Sequence, residues 1–336
     1  LQTMFETEKK EQQIKTQDIL IEAAKNKNEA KNRLLVFAAF ASLCIAVFAF
    51  IAFKNYRQST KANRLIQEQK LEVELKNKEI TQQKLIVEQK QKEILDSIQY
   101  ARHIQQAILP PLELIHTTLP DNFIFYQPKD IVAGDFYWAE HLRNKDQDLF
   151  FIAAADSTGH GVPGAIVSVV CSNALNRSVK EYHLTTPSSI LDKTRELVLE
   201  TFSKSGEDVK DGMDISLLVF DFNNKTVQWS GANNPLWYIH EGTFHEIKAD
   251  KQPIGKSETA KPFTNHLIPF QTNTSFYLFT DGFPDQFGGP DGKKYKYSRF
   301  AELLKESSKL SMGMQAKHLS ESFHRWKNTQ EQTDDV

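Results

Sequence analysis

The chain has 336 residues, with 41 Lys and Arg against 43 Asp and Glu, a net charge of −2. So balanced a charge excludes a global field for nucleic acid, and two cysteines, Cys44 and Cys171, in different regions exclude a disulfide framework. Residues 1–108 contain neither Gly nor Pro, whereas all 14 Gly and all 12 Pro lie beyond them, so a long helix precedes a compact domain of about 220 residues, enough for a sizeable core.

The first residues read as the middle of a helix and Val336 as the start of a strand, so the sequence reads as part of a longer chain. Residues 1–33 are expected to form a helical juxtamembrane segment. Residues 34–53, LLVFAAFASLCIAVFAFIAF, carry no charge and match the length that crosses a bilayer. Lys31 and Arg33 flank one end and Lys54, Tyr56 and Arg57 the other, as interfacial anchors do. A buried helix of a soluble protein is the alternative. Flanking positive charge is equal on the two sides, Lys25, Lys27, Lys31 and Arg33 against Lys54, Arg57, Lys61 and Arg64, so it sets no orientation.

Residues 54–109 continue as helix. An apolar residue recurs every seven positions at Ile66, Val73, Ile80, Val87, Ile94, Ala101 and Ile108, one seam of a heptad repeat. The companion positions are mostly polar (Gln69, Lys76, Gln83, Lys90, Ser97). This predicts a weak parallel coiled coil over 66–108, hence a homodimer, with a solvated charged linker as the bland alternative. Pro110 and Pro111 end the helix.

After Pro120 the pattern shortens to strands, expected at 123–127, 136–138, 149–155, 215–221, 226–231, 236–240, 243–247 and 275–279. Asn223-Asn224 and Glu241-Gly242 supply hairpin turns. Helices are expected at 164–180, 187–204, 298–307 and 315–327, the second started by Thr186 and Pro187. Hairpins with helices in separate blocks predict an α+β fold with an antiparallel core in a domain spanning 121–336.

Four aspartates in four motifs carry the chemistry: Asp135 in GDFYW, Asp156 in ADSTGHG, Asp281 in FTDGF and Asp334 in QTDDV. Asp156 and Asp281 follow apolar runs that read as buried strands. Converging carboxylates repel unless a cation lies between them, and hard oxygen donors favour Mg²⁺ or Mn²⁺ over zinc. Singly these motifs are weak, since Asp-Gly turns are common.

Together and in this order, from about Leu95 to Val336, they resemble the PP2C-like (PPM) serine/threonine phosphatases of the SpoIIE/RsbU type. The resemblance implies a PP2C-like antiparallel β-sandwich flanked by helices. It implies Asp135, Asp156, Asp281 and Asp334 as ligands of two Mn²⁺ or Mg²⁺ ions, with the Ser157 carbonyl also facing the metal. It further implies attack of a metal-bridged hydroxide on a phosphoserine or phosphothreonine. The substrate implied is a phosphoprotein, an anti-sigma-factor antagonist of the STAS type, and the place is the inner face of a cytoplasmic membrane, spanned once.

His160 either protonates the leaving group through water or stabilises its loop; a Gly-His-Gly turn fits both. Asp211 and Asp214 are candidates for a third, weaker metal. Trp138 departs from the signature, where an acid is customary, and the chain lacks the Thr and closing strand after DDV. Cys171 sits in nothing resembling a phosphatase cysteine loop. A non-catalytic phosphoprotein-binding or relay module is the second reading. A histidine kinase or cyclase on the same plan lacks a Gly-rich nucleotide loop.

Overall fold

A computed structural model of the protein describes residues 2–204 and 211–336; Leu1, in the expected juxtamembrane segment, lies outside them. Contacts divide the chain into two units, one ending at Gln89 and one starting at Lys90. Helix α1 runs over Gln2–Ile108. Without Gly or Pro, nothing interrupts its ladder before Pro110. It contains a stretch long and apolar enough to cross a membrane, wholly exposed in the isolated chain.

In the second unit the last turns of α1 bury one face. Ile98, Ala101 and Ile108 are partly covered and Gln105 is buried. The amide of Gln105 donates to the Ala133 carbonyl and to Ser168 Oγ, and accepts from Ala133 N–H at 3.1 Å. The sequence pattern pointed to Ala101 and Ile108 and, among the companion positions, to Ile104, which is exposed. Beyond the two prolines a short helix, α2 (Leu112–Thr118), restarts and buries Ile115; it was not expected.

Strands β1 (Phe136–Arg143) and β2 (Asp148–Ser157) form a hairpin, followed by helices α3 (Gly161–Lys180) and α4 (Pro187–Ser203). Then come β3 (Met213–Asp221), β4 (Thr226–Ala232), β5 (Leu236–His240), β6 (Thr243–Ile247), β7 (His266–Pro269) and β8 (Thr274–Tyr277). A one-turn helix α5 (Gly282–Asp285), the hairpin β9 (Phe287–Gly288) and β10 (Lys293–Lys294), and helices α6 (Tyr297–Ser307) and α7 (Met312–Lys327) complete the chain. One antiparallel sheet has the order β1-β2-β3-β4-β7 and a second the order β6-β5-β8.

The α+β sandwich is as expected, and strand alternation explains its layers. Phe151, Ala153 and Ala155 of β2, with Leu217 and Val219 of β3, pack under α3 and α4. Phe150, Leu218 and Phe220 point the other way, between the sheets, with Trp229, Leu236 and Ile268. Trp237 and Ile239 of β5 and Tyr277 of β8 turn outward against Phe300, Leu304, Leu319 and Phe323 of α6 and α7.

One expected strand does not form. Residues 123–127 form no regular element, and among them Gln127 exchanges backbone hydrogen bonds with Val336 at 2.7 and 3.1 Å. The rest of the segment lines an apolar cavity of about 350 Å³ together with residues 274–280, so it has no ladder partner. Apolar alternation cannot supply one. The short edge strand β7 was missed for the opposite reason: half of its residues are exposed, yet it pairs with β4 through four residues.

Candidate functional site

Asp135 immediately precedes β1 and is buried, at 5 % exposure. Its loop is held close to the end of β2. Gly134 leaves no space for a side chain: a Cβ there would overlap the Gly159 carbonyl oxygen and sit 3.0 Å from that of Ser157. Asp156 and Ser157 end β2, where Asp156 stands opposite Asp214 of β3 and Ser157 opposite Met213. Asp281 caps α5 after β8. Gly282 packs against the Asp335 backbone with no room for a Cβ, which sets Asp281 beside the C-terminal pair Asp334 and Asp335.

The carboxylates act on one another. Burial first, then the charge of Asp156, pushes Asp135 far above the usual carboxylate range, against a lowering hydrogen bond from Thr280. Asp156 is raised by burial and by Asp281, Asp334 and Asp214. The interaction between the two raises Asp135 and lowers Asp156, so they titrate as an interacting pair. Burial and the fields of Asp285 and Asp334 raise Asp281 to about 6. Thus Asp135, Asp156, Asp281 and Asp334 share one electrostatic site, although they arrive from four separate stretches of chain.

Asp214 enters the same field and is itself raised by burial, opposed by a 2.8 Å hydrogen bond from Asn233. Asp211 is not among the charges acting on Asp156 or Asp281. It acts on Cys171, whose thiol is pushed up to about 12, chiefly by burial; a thiol that stays protonated is a poor nucleophile. Trp138 faces away from the site: its ring lies in the core under α3 and its indole donates to Asn176 at 3.0 Å. A departure at that position therefore leaves the carboxylates untouched.

Whether such a set suits hard cations is tested by its unpaired atoms. Asp135 Oδ2 and Ser157 Oγ are buried without a hydrogen-bond partner, and an unpaired buried carboxylate oxygen is costly unless a cation or proton meets it. Among the described residues no three His, Cys, Asp or Glu side chains already surround one point. Mg²⁺ keeps several waters and takes one or two carboxylates, so these donors fit a hydrated divalent cation better than an all-protein cage.

Three positioning residues were not legible in the sequence. Asp335, buried at 2 %, accepts from Lys129 N–H at 2.7 Å and Gly134 N–H at 2.6 Å, so the second Asp of the pair builds the loop that carries Asp135. The Tyr126 hydroxyl donates to the Asp135 carbonyl at 3.2 Å. Gln105 grips Ala133, two residues before Asp135. The doubled Asp in DDV was the one available signal. His160 stands at the N-cap position of α3 at the rim, with Nδ1 at 3.0 Å from Asp130 Oδ2 and Nε2 at 3.3 Å from Lys129 Nζ.

Residues 146–336 match the family model of Stage II sporulation protein E (SpoIIE). The SiaA-PP2C domain of Pseudomonas aeruginosa is similar at 30% identity and a TM-score of 0.65, over 73% of this chain and 95% of that one. The PP2C phosphatase domain of the cell fate determinant SpoIIE from Bacillus subtilis, solved with a fragment of its regulatory domain, is similar at 14% identity and a TM-score of 0.51. That likeness covers 64% of this chain and 62% of the other and concerns the fold alone. No curated protein matches the chain.

Proposed function

This chain belongs to the SpoIIE family of PP2C-type phosphatase domains, and on that premise we propose that it is a membrane-tethered, Mn²⁺- or Mg²⁺-dependent phosphatase of phosphoserine or phosphothreonine in a signalling protein. The observation that carries the reading is the buried, unpaired Oδ2 of Asp135 in the field of Asp156, which itself lies in the field of Asp281 and Asp334. These four residues would hold two ions, with the Ser157 carbonyl beside them. When bound, two such ions lower the pKa of a water towards neutrality and hold phosphoryl oxygens for in-line attack.

The chain's own residues supply rigidity. Asp335, Tyr126 and Gln105 fix the loop before β1, and the β2–β3 ladder fixes Asp156. Preorganised charge of this kind needs no reorganisation as the phosphate ester breaks. Asp214 is the better placed of the two candidates for a third ion. The proposed substrate is a phosphorylated anti-sigma-factor antagonist of the STAS type, as the SpoIIE/RsbU resemblance implies.

The remaining parts of the proposal concern assembly. Residues 34–53 span a cytoplasmic membrane once, and the cytoplasmic side is assigned to the phosphatase domain by the substrate class that the SpoIIE/RsbU resemblance implies. The seam residues Ile66, Val73, Ile80, Val87 and Ile94 are 54–62 % exposed in the single chain, apolar surface that a second copy of the helix would cover in a homodimer.

The test is release of phosphate from a phosphoserine protein with Mn²⁺ supplied. Asp156→Asn and Asp281→Asn are expected to abolish it while preserving the fold by circular dichroism. Full turnover by both variants would overturn the site. Equilibrium dialysis is expected to show about two Mn²⁺ per chain; none would favour the second reading, a module that binds a phosphoprotein without turnover.

A further inference from the structure

At the rim of the carboxylate site the structure gathers one cation, one imidazole and one further carboxylate. We propose that Lys129 binds the phosphate group of the substrate: its ammonium, positioned by His160 and Asp130, meets the peripheral oxygens of a phosphate monoester dianion. This rests on the phosphatase reading above and names which side chain recognises the phosphate.

The backbone of Lys129 is anchored to the site itself. Its N–H and that of Gly134 bind the two oxygens of Asp335, at 2.7 and 2.6 Å, so the lysine and the approach to Asp135 hang from one carboxylate. The side chain is held by His160, whose Nε2 lies 3.3 Å from Nζ. An ammonium has only donors, so Nε2 accepts. The other nitrogen, Nδ1, then carries the ring proton and donates it to Asp130 Oδ2 at 3.0 Å. Both nitrogens of His160 are thereby committed, and neither offers a proton to a leaving group. His160 is a positioning residue for Lys129.

Two N–H bonds of the ammonium remain. Among the described residues Lys129 has no carboxylate partner, whereas Lys294, whose charge acts on Asp281, is paired with Asp285 at 2.6 Å. His160 also stands at the N-cap position of the twenty-residue helix α3, without a side-chain cap bond, and the first amides of α3 add positive potential at the same rim. Charge favours such a group. Two divalent ions would neutralise Asp135, Asp156, Asp281 and Asp334 alone, and Asp214 and Asp335 add negative charge to the same field, so a further positive charge favours an arriving dianion. Lys129 provides it as a compact point charge.

The experiment compares the full chain in detergent with Lys129→Met, Lys129→Arg and His160→Gln, using a phosphoserine peptide, p-nitrophenyl phosphate and inhibition by inorganic phosphate. Lys129→Met is expected to raise KM and the phosphate inhibition constant about tenfold, the worth of one charge-assisted hydrogen bond, with a smaller change in kcat. Lys129→Arg should stay within about threefold of wild type. His160→Gln should act through KM and equally on both substrates. Unchanged KM and phosphate inhibition in Lys129→Met would overturn the proposal. So would a His160→Gln enzyme that loses about 100-fold or more in kcat on the peptide alone, because nitrophenolate leaves without a proton and the peptide alkoxide does not. If the wild type turns nothing over, the phosphatase reading fails by itself, and calorimetric titration of phosphate into the Mg²⁺-loaded chain still decides. Tenfold weaker binding in Lys129→Met supports the clamp; equal affinity, or no binding to the wild type, refutes it.

Discussion

Gly134→Ala tests the claim that the two loops carrying Asp135 and Asp156 are locked by direct backbone contact. Gly134 does not have a positive φ, so alanine suits its backbone and the perturbation is purely steric. The new methyl would overlap the Gly159 carbonyl oxygen and lie 3.0 Å from the Ser157 oxygen. Both obstacles are backbone, with no flexible side chain to yield. Overpacking costs about 1–3 kcal/mol, and a rigid neighbour on two sides places this case near about 3 kcal/mol. For a domain of this size each kcal/mol lowers Tm by about 2–4 °C, so calorimetry should find a loss of about 6–12 °C. Relief requires the loops to part by about 1 Å, a displacement that costs about 100-fold in rate when catalytic groups are misplaced. Gly313→Ala is the control: nothing lies within 4 Å of its Cβ position, and alanine there should stabilise α7 by up to about 1 kcal/mol. Wild-type Tm and wild-type turnover in Gly134→Ala would refute the contact.

Burial and mutual repulsion raise Asp135, Asp156 and Asp281, the last from its usual 3.8 to about 6, so the folded chain keeps protons that the unfolded chain releases near pH 4. Without divalent cations, stability is therefore expected to be greatest on the acid side and to fall as pH rises from about 4 through the folded values of about 6 for Asp281, about 7 for Asp156 and about 10 for Asp135; Mn²⁺ should reverse the loss at pH 8, and a rising Tm in EDTA between about pH 4 and 8 would contradict the burial argument. Gln105→Ala removes the side chain that satisfies Ala133 N–H and should cost about 1–3 kcal/mol, with turnover falling as the Asp135 loop loosens; an unchanged denaturant midpoint would show that water replaces it freely. Insertions of one, two or three residues near Lys78 should alter phosphatase activity with helical phase if the helix relays rotation, and equal activity at every phase would remove that idea.

The linear sequence was sufficient for whatever depends on local period and covalent constraint. The charge-free run at 34–53, the helix ended by Pro110, the hairpins β3–β4 and β5–β6 and the helix begun at Pro187 all follow from nearest-neighbour physics. The four aspartates were visible because each stands in its own short motif. Helix starts were read several residues late, at 164 for α3 and 315 for α7, because their opening turns, Gly161-Val162-Pro163 and Met312-Gly313-Met314, look like loop. Tertiary structure alone decided the rest. Only folding brings Asp335 to the amides of Lys129 and Gly134, some two hundred positions away, buries Gln105 against Ala133, and turns Asp130, His160 and Lys129 into one hydrogen-bonded chain. A hydrogen bond between distant segments leaves no periodic trace, since it depends on the meeting of two backbones and not on the pattern within either.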